Sequence, residues 1–298
     1  AALKSFHRSG KGMTRILGLK IDVDTYQGMK HGVPRLLSLL EREGIRATFF
    51  LSIGPDSSGR AMIQILRNPA FLKKMIRTHA GSLYGFRTAL YGTLLPSPKI
   101  ALSFPELVVR LLREGHEVQF HAWDHRRWQD ELFRQPEQWI REWFRRGLEG
   151  FEILTDKRPT SFAAPGWLID DRVISLVSEM GLDYLSCTRA TEPFVHEGTN
   201  LMEIPSDLPC LEETGVGDGE RRIIADLEAG GIHVLPVHAE MEGGIGAEAF
   251  VRLIQAVRKS GYTFLHLDEI RKILEQRELV SRRFEMKLLP GRAVPCAA

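Results

Sequence analysis

The stretch RILGLKIDVDT, residues 15–25, begins as a short apolar run and ends on two acids. The run reads as a β-strand over 15–22, which puts Asp22 and Asp24 at its C-terminal end. Barrels and open α/β sheets place their chemistry at such strand ends. Side chains two apart on a strand share a face, so both carboxylates point into one mouth. Like charges so placed repel and burial raises the cost, so they serve stability poorly. A bound metal relieves the repulsion for one of them and leaves the other free as a base.

Outward from that strand, short apolar runs alternate with longer amphipathic ones, the pattern of βα units around a parallel sheet or barrel. A helix is expected over 33–43, stopped by Gly44, then a strand over 46–54. A helix over 104–114 ends at Gly115, and a strand covers 116–121. A long helix over 137–154, a short strand over 160–164 and a helix over 171–180 follow. Further strands fall at 183–187, 200–205 and 232–238, and helices near 247–259 and 268–277 come last. No internal repeat and no Pro/Gly/Ser linker divides the chain. The fold class is therefore α/β, as one barrel-like domain over 13–276. Residues 1–12 read as a disordered extension, with Met13 a natural start, and 277–298 as a basic tail.

Composition bounds the function. Of 298 residues, 43% are hydrophobic and 26% charged, enough for a sizeable core. The net charge, 40 − 38 = +2, gives no support for a nucleic-acid partner. Cys187, Cys210 and Cys296 form no CxxC and are odd in number, which favours a reducing compartment over a disulfide framework. No uncharged apolar run approaches the ~18 residues of a spanning helix. The basic start lacks the apolar core of a secretory signal. A cytoplasmic protein is expected, and one lying on a membrane surface is compatible with this.

Two segments break the cadence. AGSLYGFRTALYGTLLP, residues 80–96, is apolar and aromatic with Arg87 its single charge. It reads either as a lid over the barrel mouth or as a lipid-facing loop or hairpin. The tail carries Arg282, Arg283, Lys287 and Arg292 among apolar residues, a pattern that either touches anionic lipid or is simply solvated. The helix QWIREWFRR, 138–146, is also basic and aromatic, but its apolar residues mostly fit one face, which favours packing on the barrel.

Two histidines complete a metal set. QFHAWDHRRWQ, residues 119–129, places His121 and His125 four apart at the end of the third strand. If the chain turns helical there, four residues advance about 6 Å and about 400°, leaving both rings on one face. Two histidines and one carboxylate leave a coordination position open for water. His238, at the end of the last clear strand in VLPVHAE (234–240), is placed to donate a proton to a leaving amine near neutral pH.

The set Asp22-x-Asp24, His121-x-x-x-His125, AAPGW (163–167) and PVHAE (236–240) resembles the polysaccharide deacetylase family, the NodB-homology or carbohydrate esterase 4 group. The resemblance covers roughly 15–275 with the motifs in the family's order. It implies a distorted (β/α) barrel of the NodB type and a divalent cation, zinc, cobalt or manganese. It also implies that Asp24, His121 and His125 hold the metal, that Asp22 is the base and that His238 is the acid. IDVDT with GVPRLL, SIGPDSSGR (52–60), GSLYG (81–85), HAWDHRRWQ and HAEMEG (238–243) are most similar to one subgroup, the 4-deoxy-4-formamido-L-arabinose-phosphoundecaprenol deformylases of lipid A modification. That implies an undecaprenyl-phosphate-linked formamido sugar as partner, and peripheral contact with the cytoplasmic face of the inner membrane. Trp167, Pro165 and Tyr84 are then candidates for substrate binding, with Trp167 either a pocket wall or plain core.

One position departs from the pattern. Many deacetylases carry an arginine where this chain has Ala163, and that arginine steadies the catalytic aspartate. Lys20, two before Asp22 on the same face, is the candidate substitute, or else packs against other carboxylates. The chemistry implied is metal-dependent hydrolysis of an N-formyl amide. The rivals are an N-deacetylase with the same motifs, a non-catalytic sugar-lipid binding protein, and an iron oxygenase. The intact Asp22 and His238 oppose the binding protein. The order Asp…His-x-x-x-His through βα units opposes the oxygenase triad.

Overall fold

A computed structural model describes residues 14–60, 91–92 and 95–298. The first strand, β1, spans Arg15–Val23 and is buried along nearly its whole length. Its two faces meet different surroundings. Leu17, Leu19, Ile21 and Val23 join the large core shared with the surrounding helices, whereas Ile16 joins a smaller cluster with Phe50, Tyr184 and Val234. Ile16, Gly18, Lys20 and Asp22 share that second face, by the two-residue alternation of a strand.

Helix α1, Val33–Glu43, has proline in its first turn and ends at Gly44, whose φ of 61° is the left-handed conformation that glycine accepts. Strand β2 is Thr48–Ser52, helix α2 Pro105–Arg113 and strand β3 Glu117–Ala122. Helices α3, His125–Glu131, and α4, Glu137–Thr155, lead to β4, Ser161–Phe162, and α5, Asp171–Glu179. Strands β5 (Tyr184–Leu185), β6 (Phe194–His196) and β7 (Met202–Glu203) are short. Helices α6 (Leu211–Thr214) and α7 (Val216–Asp226) precede β8, Gly231–His238. The chain continues through α8 (Ala247–Lys259), β9 (Thr263–Leu265), α9 (Leu267–Leu274), β10 (Ser281–Arg282), β11 (Met286–Lys287) and β12 (Cys296–Ala297).

The main sheet runs β10-β6-β7-β5-β4-β3-β2-β1-β8, parallel except between β6 and β7, and β9 pairs with the first half of β1. The sheet curls into a half-barrel. Its two flanks approach where the loop after β7 reaches β8: the Leu208 N–H donates to the Val234 carbonyl at 3.4 Å, and the Val234 N–H donates to Asp207 Oδ1 at 2.7 Å. Helix α9 packs Leu267, Ile270 and Leu274 into the inner cluster. Gly18 makes that approach feasible: a Cβ there would lie 2.7 Å from Leu267 Cδ2 and 2.8 Å from Ile270 Cδ1. This is the distorted α/β barrel expected from the sequence.

Several strands are shorter than their apolar runs suggest, because buried side chains replace ladder hydrogen bonds. Gln119 Oε1 accepts the N–H groups of Thr160 and Ser161 at 2.9 and 3.0 Å, and Glu203 Oε1 accepts those of Cys187 and Thr188 at 2.7 Å each. The tail from 277 does not stand free: β10 pairs with β6, β11 pairs with β12, and Cys296, Ala297 and Ala298 are buried. Ile140, Trp143 and Phe144 of α4 are buried in the core. The apolar segment 80–96, Tyr84 included, lies outside the described residues apart from 91–92 and 95–96, as do residues 1–12. Among the described residues no helix is long and apolar enough to cross a membrane.

Candidate metal centre

Asp22 and His238 are paired positions on the neighbouring strands β1 and β8. Asp24 follows immediately after the end of β1, and His121 lies near the end of β3. These strand ends converge: His121 Nε2 is 3.1 Å from Asp24 Oδ1, and His125 Nε2 is 3.2 Å from Asp24 Oδ2. The two imidazole centroids are 5.1 Å apart.

The histidines do not share a helical face. His121 belongs to β3, whereas His125 is the first residue of α3. The reason is Asp124, which caps α3 by accepting the Arg127 N–H at 3.0 Å while its other oxygen accepts Ser57 Oγ–H at 2.8 Å. That cap ends the extended chain and starts the helix between the two rings.

Ala163 contributes its backbone instead of a side chain. Its carbonyl lies 2.8 Å from His121 Nδ1 and accepts a hydrogen bond from the N–H there, so the ring offers a lone pair from Nε2. Nε2 and Asp24 Oδ1 are then two acceptors facing each other, both buried and without a hydrogen-bond partner. A cation satisfies both. The donor set of two nitrogens and one carboxylate, with one position open, is that of a hydrolytic zinc site. Burial would raise the Asp24 carboxyl, but His125 and His121 overcome it and hold it well below the usual carboxylate range. Burial pushes the His125 imidazole down to about 4, so it offers a neutral nitrogen at neutral pH.

Lys20 is fully buried and its ammonium bonds directly to Asp22 Oδ2, whereas Asp22 Oδ1 has no hydrogen-bond partner. The same ammonium lies 5.3 Å from the ring centroids of both Phe50 and Trp167. His238 Nδ1 lies 3.2 Å from Glu212 Oε1. Burial works against the imidazolium of His238, but Glu212 and Cys210 beside it raise its pKa well above the ordinary value.

Trp167 stands edge-on to His238, with centroids 6.2 Å apart. Its φ of 56° is rare for a non-glycine residue and follows Gly166 at 64° in the turn Pro165–Trp167. Besides Lys20, the guanidinium groups of Arg189 and Arg292 lie over the ring at 4.8 and 4.9 Å. Pro165 is buried in the same turn, and Tyr84 lies outside the described residues.

The sequence reading missed four groups around this centre. The Asp24 N–H donates to Glu240 Oε1 at 3.1 Å, and the His238 N–H donates to Glu242 Oε2 at 2.7 Å. Burial, with Asp24 nearby, pushes Glu240 up to about 8, and burial pushes Glu242 up to about 7. Their spacing in HAEMEG was a usable signal. Cys210 and Glu212, beside His238, come from a loop and a short helix that carried none.

The profile of the polysaccharide deacetylase family matches residues 18–185. A protein of Shewanella sediminis named "Probable 4-deoxy-4-formamido-L-arabinose-phosphoundecaprenol deformylase ArnD" is 34% identical, over 88% of this chain and 87% of its own. A protein of the same name from Wigglesworthia glossinidia brevipalpis is 28% identical, over 89% of this chain and 96% of its own. Among solved structures, a "putative polysaccharide deacetylase from Mycobacterium smegmatis" superposes with a TM-score of 0.66 at 20% identity, covering 95% of this chain and 97% of its own. The allantoinase PuuE superposes at 0.63 with 15% identity, covering 91% and 93%. At those identities the structures speak for the fold.

Proposed function

The chain belongs to the polysaccharide deacetylase family, whose enzymes are typically metal-dependent deacylases, and from that premise we propose that it deformylates 4-deoxy-4-formamido-L-arabinose-phosphoundecaprenol. The observation that carries this is the convergence of Asp24, His121 and His125 beside the cross-strand pair Asp22 and His238. The names of relatives that align along nearly the full chain supply the acyl group and the lipid.

Asp24, His121 and His125 would hold the cation: zinc, cobalt or manganese. Such an ion lowers the pKa of water from ~15.7 toward ~7 and polarises the amide carbonyl. Asp22 accepts the proton of the attacking water on Oδ1, the oxygen that Lys20 leaves free. Attack forms the new C–O bond at the formyl carbon. As the C–N bond breaks, His238 delivers its proton to the sugar nitrogen, and the products are formate and the free amine. Trp167, held by three cations, limits the space beside the acyl group to something as small as formyl.

The lipid-linked substrate and the apolar segment 80–96 support a peripheral enzyme on the cytoplasmic face of the inner membrane. Sedimentation with anionic vesicles tests this, and protein that stays in the supernatant at low salt would count against it. The reaction is tested by mass spectrometry of products from metal-loaded enzyme given the formamido-arabinose lipid or an N-acetylated sugar. Loss of formyl from the lipid alone is expected. Loss of acetyl instead would move the enzyme to the N-deacetylases, and no loss from either would sink the catalytic reading.

A further inference from the structure

A second set of ligand atoms lies beside the first and shares no residue with it. Cys210 Sγ, a Glu212 carboxylate oxygen and a His238 ring nitrogen all lie within 4.8 Å of one another. Cys210 is fully buried at the start of α6, and Glu212, two residues on, is 39% exposed and opens the cluster to solvent. His238 Nδ1 is buried and makes no well-formed hydrogen bond, although Glu212 Oε1 is 3.2 Å away.

We propose that Cys210, Glu212 and His238 form a second cation site, selective for zinc, whose occupation holds the enzyme inactive. Sulfur, nitrogen and one carboxylate oxygen suit zinc and discriminate against magnesium and manganese, which prefer oxygen. A cation binds the thiolate, so it must displace the thiol proton of Cys210, which a carboxylate and two imidazoles do not require. The second site therefore fills after the first, at excess zinc. A cation on Nδ1 leaves the His238 ring neutral at its other nitrogen, and the ring then has no imidazolium proton to give the leaving amine. That consequence for turnover rests on the reading of His238 as the acid; the cation site does not.

The test is a cobalt(II) titration of metal-free protein followed by absorption. The first equivalent, on oxygen and nitrogen, is expected to give no thiolate band. The second should bring thiolate-to-cobalt charge transfer in the near ultraviolet. Cys210→Ser should bind one equivalent and show no band, and Glu212→Gln should bind the second about tenfold more weakly. Glu212→Gln changes a part-exposed side chain, so it carries the test if the buried serine variant fails to fold. A single equivalent in the wild type, or a second without the band, overturns the site. In turnover, excess zinc should slow the wild type roughly a hundredfold relative to its one-zinc form, while Cys210→Ser changes little between the two conditions. Deformylation that persists with the second site filled overturns the inhibitory role. A band in a protein that hydrolyses no amide keeps the cation site and removes the reading of the reaction instead.

Discussion

Asp22 has two oxygens with different surroundings: Lys20 bonds to Oδ2, and Oδ1 has no partner. Lys20→Met keeps the buried volume and removes the cation. Breaking a buried pair in this way costs about 3–5 kcal/mol, because the carboxylate stays behind uncompensated. The double variant Lys20→Met/Asp22→Asn should recover much of that stability in urea unfolding, yet show turnover reduced by roughly 10²–10⁴ from loss of the proposed base. Recovery of activity along with stability would show that the aspartate is not the base. His125→Ala removes one of the three proposed ligands and should leave the purified protein depleted of metal as measured by elemental analysis. A full complement of metal in that variant would be incompatible with the centre described above. At this scale the sequence was most informative where residues stand at strand ends. Asp22, Asp24, His121, His125 and His238 could be named because apolar runs mark where strands stop. Cys210 and Arg292 reach the same place from irregular chain and Glu212 from a four-residue helix, where no periodicity shows which way a side chain points.

Secondary-structure elements were legible where an apolar run coincides with a full ladder, as in β1 and β8, which pair over eight residues from Arg15–Gly231 to Asp22–His238. They were less so where Gln119 and Glu203 take over backbone donors, since no local pattern announces that a side chain substitutes for a strand. The expected helical face for both histidines failed for a related reason: the Asp124 cap is visible in sequence only if the helix start is already known. The packing of α9 against β1 makes a clear prediction. Gly18→Ala would push a methyl group into Leu267 and Ile270, both within 2.8 Å of the added Cβ, and should destabilise the fold by about 1–3 kcal/mol in chemical denaturation. Adding Leu267→Ala should relieve part of the clash, and equal stability of Gly18→Ala and wild type would refute the close approach. The entry to β2 gives a second prediction, this one in pH. The Ala47 N–H donates to His116 Nδ1 at 3.2 Å, and burial pushes that imidazole from 6.5 down to about 4. The neutral ring is favoured in the folded state, so its contribution is present above pH 6.5 and is lost as pH falls toward 4. The shift corresponds to about 3 kcal/mol. His116→Gln, which keeps an acceptor but does not titrate, should flatten the urea midpoint across that window relative to wild type.

At the scale of the whole fold, residues 285–298 pack back against the barrel. The tail read in sequence as basic and either solvated or lipid-facing, because charge and apolar content say nothing of a binding place far earlier in the chain. In the fold it returns to the barrel mouth: Arg189 donates its backbone N–H to the Ala297 carbonyl at 2.8 Å, and Cys296 packs with Trp167 and Cys210. Arg292 is the working contact. It donates to the Gly166 carbonyl at 2.9 Å and to Glu213 at 3.1 Å, and its guanidinium lies over the Trp167 ring. Left-handed backbone at a tryptophan costs of order 1–3 kcal/mol and persists only where surrounding contacts hold it. Arg292 supplies one of those contacts from the carbonyl side and another from the ring face. Arg292→Ala should therefore free the Gly166–Trp167 turn, shift the tryptophan emission, and lower the preference for formyl over acetyl substrates about tenfold, with metal content unchanged. Arg292→Lys keeps the charge over the ring but loses the planar fork, so it should recover the emission in part and the selectivity less. If both variants keep the wild-type selectivity while the emission shifts, Trp167 is core packing and does not wall the acyl pocket. If neither property changes, the tail's return to the barrel mouth has no bearing on the site.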